Sequence, residues 1–108
     1  MAETSEYVAE ALSALKGRAA SEGLMVDSSA TYGIGAVLGP ALDKAIESEG
    51  GEPFSARRHA EFNDAVFKLA EQATNAAQRD QAQFIGIEHI ESAAVQLRAW
   101  KIWPFTGD

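Results

Sequence analysis

The chain has 108 residues, 46 % of them apolar and 23 % charged, with no cysteine and a formal charge of −7. That length suits one domain with a modest core, and the missing cysteine excludes a disulfide framework, a thiolate metal site and a cysteine nucleophile. The acidic balance opposes broad contact with nucleic acid, because affinity for a phosphate backbone comes mostly from Lys and Arg.

The N-terminus has neither a basic n-region nor an apolar h-region, so no signal peptide is expected. A first helix is predicted over Thr4–Ala20. Thr4 or Ser5 would cap it, Glu6 suits its positive end, and Val8, Ala11, Leu12 and Leu15 form an apolar stripe. Gly23 stops it. Leu24-Met25-Val26 is a short apolar link, and Asp27-Ser28-Ser29 would cap a second helix carrying Tyr32, Ile34, Val37, Leu38 and Leu42. Gly39-Pro40 predicts a kink or break in that helix. Its apolar stretch, Ala30–Leu42, is 13 residues long; a membrane span needs about 20, so a soluble, cytoplasmic protein without a membrane partner is expected.

Gly50-Gly51-Glu52-Pro53 is the clearest loop. From Ser55 to Gln83 there is neither Gly nor Pro. Phe62, Val66, Leu69, Ala70, Ala73 and Ala77 recur at steps of three and four along one face of a long helix. About 25 residues make a rod of about 38 Å. Such a rod exceeds the core of a small globule unless something covers its far end, which points to a partner chain. Phe84-Ile85-Gly86-Ile87 then forms a second apolar link, and Ile90, Ala94 and Leu97 mark a last helix that ends near Trp100. The expected organisation is a single α-helical domain over 1–103, with an N-terminal helix and link in 1–28 and a core in 29–100, followed by a tail over 104–108.

The order of helix, long helix, β-like link and short helix resembles the histone fold, with the helix of residues 4–20 added in front. Phe54-Ser55 resembles the entrance to that family's central helix, and Ala73, Ala77 and Ile85 match its small and β-branched positions. The resemblance implies an all-α fold and dimerisation through the long helix, with Phe62, Val66, Leu69 and Ala73 at the interface. It therefore implies a homodimer or a paired protein subunit. It departs from the family at the Arg–Asp pair of the second loop and last helix, where Ala82 and His89 stand here. A second resemblance is to the repeat of the N-terminal domain of Clp ATPases. Ala73-Thr74-Asn75-Ala76-Ala77 leads there to Ile85-Gly86-Ile87-Glu88-His89-Ile90, close to that family's Ile-Gly-Thr-Glu-His-Leu helix start. Those domains carry two repeats and bind peptides or adaptors, but no second copy is legible in residues 1–54.

Candidate chemistry is thin. Residues 1–53 carry nine acidic and three basic side chains, whereas 54–80 are neutral, so Arg57, Arg58 and Lys101 are the residues for nucleic-acid contact in a DNA-associated alternative. Glu88-His89 is the most site-like pair, because histidine titrates near neutrality. Neighbours on a helix diverge by about 100°, however, and Glu88 also complements a helix N-terminus. A small enzyme using His89 with Glu88 or His59 is the catalytic alternative. His59, Glu61 and Asp64 lack the second His or Cys that zinc prefers. Gly33-Ile34-Gly35-Ala36-Val37-Leu38-Gly39 resembles a dinucleotide turn but lacks the parallel sheet such a turn requires; Gly35 and Gly39 more simply admit a neighbouring helix. No cofactor or metal is expected. Trp100, Trp103 and Phe105 are candidate partner anchors, since large aromatics dominate many interfaces. The expectation is a non-enzymatic, histone-fold-like dimerisation and protein-interaction module.

Overall fold

The computed structural model describes residues 3–105. These residues form an all-α fold of four helices and two very short strands: α1 (Thr4–Ser21), β1 (Met25–Val26), α2 (Ser28–Ser48), α3 (Ala56–Arg79), β2 (Phe84–Ile85) and α4 (Ile87–Ala99). Among the described residues no helix is long and apolar enough to cross a membrane.

Most helix boundaries have a local cause. The Asp27 carboxylate accepts from the Ser29 backbone N–H at 3.0 Å to start α2, and Ser55 Oγ accepts from the Arg58 N–H at 3.2 Å to start α3. At α1 the N-cap is Glu3, which makes no side-chain capping bond; Thr4 instead donates its hydroxyl to Asp43 of α2. All four helices close the same way, with a left-handed residue followed by a backbone N–H that reaches back five residues. The left-handed residues are Gly23, Gly50, Gln81 and Lys101. The bonds run from Leu24 to Ala19, Gly51 to Ile46, Ala82 to Ala77 and Ile102 to Leu97.

The predicted break in α2 does not occur, and the helix runs through Pro40. Part of the clash that a proline makes inside a helix is with the Cβ of the residue before it. That residue is Gly39, which has none.

The apolar links pair with each other. β1 and β2 are parallel, with Met25 opposite Phe84 and Val26 opposite Ile85. This pairing exposes an internal repeat. Buried Tyr7, Ala11, Leu15 and Ala19 of α1 correspond to buried Ala65, Leu69, Ala73 and Ala77 of α3 at a constant shift of 58 residues. Buried Ala30, Ile34 and Leu38 of α2 correspond to His89, Ala93 and Leu97 of α4 at a shift of 59. The one-residue difference is the longer connection after α3, where Ala82-Gln83 replaces Leu24 alone. The chain is thus two helix–link–helix units joined through their links.

The long helix is covered by its own chain. α3 packs on α1 and α4 within a body whose longest dimension is 43 Å. α1 runs alongside α3 in the same direction, with Tyr7 against Phe62 near one end and Glu22 bonded to Gln78 near the other. At the first end Tyr7, Phe54, Phe62 and Trp103 form an aromatic cluster, with Tyr7 and Phe54 stacked at 4.3 Å. The Phe54 backbone N–H donates to the Tyr7 hydroxyl at 3.0 Å, which satisfies a buried donor in the loop before α3.

The α2–α4 contact depends on one glycine. A Cβ on Gly33 would lie 2.9 Å from Ile87 Cγ1, whereas Gly35 and Gly39 have open space around them. The helix-approach role expected of Gly35 and Gly39 therefore falls to Gly33. Gly33→Val should cost about 1–3 kcal/mol through overpacking. Gly35→Ala should add about 0.5–1 kcal/mol through helix propensity. Urea midpoints of the two variants should bracket that of the parent chain.

Candidate protein-binding grooves

The expected interface residues on α3 face inward. Phe62, Val66, Leu69 and Ala73 are 0 %, 5 %, 2 % and 0 % exposed within the single chain. α1 and α4 cover them, so a partner can reach α3 only on its other side, where Asn63 and Phe67 lie exposed.

The tail anchors divide. Phe105 is buried together with Pro104, and Trp103 packs edge-on to Phe54 at 5.6 Å. The core therefore reaches past the expected boundary at 103, and Thr106–Asp108 lie outside the described residues. Trp100 remains half exposed.

The cations expected at a nucleic-acid surface also separate. Arg58 lies 3.6 Å from Glu49 and 3.4 Å from Glu61, with its guanidinium 4.6 Å from the Trp103 ring centroid. It is committed to the fold by ion pairing and a cation–π contact. Arg57 projects into solvent with Glu61 at 3.8 Å, and exposed Lys101 follows the C-terminus of α4.

His89 joins the end of α3 to the start of α4. It is 3 % exposed, its Nδ1 accepts from the Gly86 backbone N–H at 3.0 Å, and its Nε2 meets Asp80 Oδ2 at 3.0 Å. The tautomer satisfying both contacts carries its proton on Nε2. His89 occupies the third position of α4 and reaches back to the N-cap residue, the role Glu or Gln plays in a capping box. Glu88 is exposed in the first turn of α4, its Oε1 3.8 Å from His89 Nδ1, and its charge complements the helix N-terminus. His59 lies elsewhere, 3.3 Å from Glu10 of α1. Among the described residues no group of three His, Asp or Glu side chains gathers in metal-binding geometry.

The opposite repeat is fastened by Ser29. Its hydroxyl oxygen accepts from the Ile87 N–H at 3.1 Å, tying the start of α2 to the start of α4. Hydrogen bonds from the Ser29 hydroxyl and backbone N–H hold the Asp27 carboxyl below its ordinary value.

Two of the open grooves among the described residues have a mainly apolar lining. One, of about 420 Å³, lies between α2 and α4. Gly33, Val37, Ile87 and Phe105 give it an apolar lining, Ala36 and Pro40 form part of its rim, and Lys44, Glu91 and Arg98 supply charge. Pro40 has no N–H, so the Ala36 carbonyl loses the donor it would have in a regular helix. An apolar hollow flanked by Lys44, Arg98 and Glu91 is chemically suited to a short peptide. The other groove, of about 660 Å³, lies between α1 and α3 beside Ala14, Gly17, Arg18, Asn63 and Phe67. The sequence marked neither, because each depends on which helices become neighbours. A comparison with known proteins finds no family model, no curated protein and no solved structure that matches this chain.

Proposed function

We propose that this chain is a non-enzymatic protein-interaction module that holds a short peptide segment of a partner in the groove between α2 and α4. The observation that carries this reading is the groove's chemistry: an apolar floor at Val37, Ile87 and Phe105, flanked by Lys44 and by Arg98, whose Nε donates to the Phe105 carbonyl at 3.3 Å, with Glu91 also on its wall. A segment presenting one large apolar side chain beside a carboxylate matches that lining. The double helix–link–helix arrangement also supports the resemblance to the Clp N-terminal repeats, which come in two copies. In this reading His89 holds the start of α4 in place and takes no part in chemistry.

A displayed peptide library selected on the chain tests the proposal. Enriched peptides should combine a large apolar residue with Asp or Glu. Ala36→Arg, at an exposed position on the rim, should weaken them at least about ten-fold, equivalent to roughly 1.4 kcal/mol. Ala14→Arg, in the other groove, should leave their affinity unchanged. Peptides indifferent to Ala36→Arg would refute the assignment.

A further inference from the structure

The groove between α1 and α3 is independent of the peptide site, and its rim is an exposed aromatic. Phe67 is 56 % exposed, with Arg18 6.0 Å above its ring. The α1 wall consists of Ser13, Ala14 and Gly17, which leave room beside that ring. Charge is arranged symmetrically along the same wall. Glu10 and Arg18 stand four residues before and four residues after Ala14. A two-fold axis crossing the helices at Ala14 would run two α1 helices antiparallel and set Glu10 of each copy against Arg18 of the other.

We propose that this face docks a second copy of the chain. The two Phe67 rings meet near the axis over the small side chains of α1, and two Glu10–Arg18 pairs fix the register. Two observations in the single chain favour this occupant. The Arg18 Nε is buried and has no hydrogen-bond partner among the described residues, and on its part-exposed terminal nitrogen the Glu22 carboxylate stands only as near as 3.9 Å. Glu10 meets only the half-exposed ring of His59, at 3.3 Å. Neither charge is held in a tight ion pair with a permanently charged group, and the surface supplies its own complement. An α1 of 18 residues is about 27 Å long, so with α3 beside it the face projects about 500 Å² per copy. That is below the standard interface of about 800 Å² per partner, so the dimer is weak and concentration-dependent.

Sedimentation equilibrium of the full chain up to a concentration of about 0.5 mM, a range that detects sub-millimolar dissociation constants, tests the proposal. The chain should form a dimer. Glu10→Arg should weaken it at least about ten-fold, because two arginines then face each other twice. Glu10→Arg combined with Arg18→Glu should restore it, since the pair is re-formed with its signs exchanged. The rescue separates a lost contact from a damaged fold. A parent chain monomeric throughout, or a dimer indifferent to Glu10→Arg, would overturn the assignment. Neither result bears on the peptide groove, which lies between different helices.

Discussion

Phe62→Ala should cost about 3–5 kcal/mol, a large share of the roughly 5–15 kcal/mol that holds a domain together. Phe62 is fully buried, with ring centroids of Tyr7 at 5.4 Å, His59 at 6.1 Å and Phe54 at 6.3 Å. Truncation removes the central ring of a cluster that joins α1, the loop before α3 and α3 itself. These contacts are edge-on or tilted, and no single neighbour can close the cavity without leaving another. Urea unfolding should therefore show a strongly lowered midpoint at every protein concentration. Phe62→Leu keeps most of the volume and should cost distinctly less. The concentration dependence is the informative part. If the Phe62–Ala73 face were an interface between chains, the loss would appear as dissociation and vanish at high concentration. If it is the core of one chain, dilution changes nothing.

The pattern on α3 was legible, but its meaning was not. Steps of three and four at Phe62, Val66, Leu69 and Ala73 identify a buried face, and that face is buried. Periodicity reports that apolar side chains leave water; it does not report whether the cover comes from the same chain. The cover here is α1 and α4. The parallel course of α1 along α3 follows from pairing Met25-Val26 with Phe84-Ile85, a contact spanning 59 residues that no local signal announces. The repeat was hidden for a related reason. Met25, Val26, Asp27, Ser28, Ser29 and Ala30 correspond to Phe84, Ile85, Gly86, Ile87, Glu88 and His89 without one identity. What persists is geometry: a left-handed turn, a two-residue strand and a capped helix.

Caps show the same division. Asp27, Ser55, Gly23 and Gly50 are residues whose chemistry declares a helix end, and each lies at or next to one. Gln81 and Lys101 occupy the same left-handed position without a glycine's signature. The long-helix pattern therefore extends to Gln83, while α3 itself stops at Arg79. Neither groove could be read either. Gly35 and Gly39 were expected to admit the neighbouring helix, and only the placement of Ile87 shows that Gly33 does so.

His89→Ala should cost about 2–3 kcal/mol, because it strands a buried donor and opens space at the start of α4. Gly86 is buried, and its N–H has His89 Nδ1 as acceptor at 3.0 Å. Alanine offers no substitute, and water must enter or the donor stays unpaired. The same substitution releases Asp80, the cap residue of α3, from its 3.0 Å contact with Nε2. One side chain thus joins the end of α3 to the start of α4 across the link that pairs with β1. His89→Gln is the discriminating variant. A glutamine at the third helical position can reach back to the N-cap N–H as in a capping box, so it should recover much of the lost stability. Amide exchange at Gly86 should be fast in His89→Ala and slowed again in His89→Gln. A general base would behave differently, since an amide cannot accept a substrate proton at neutral pH and no stability would return with it. The fastener role requires that stability and Gly86 protection move together across the three chains. If His89→Ala unfolds at the parental midpoint, both nitrogen contacts are dispensable and the histidine is free for chemistry.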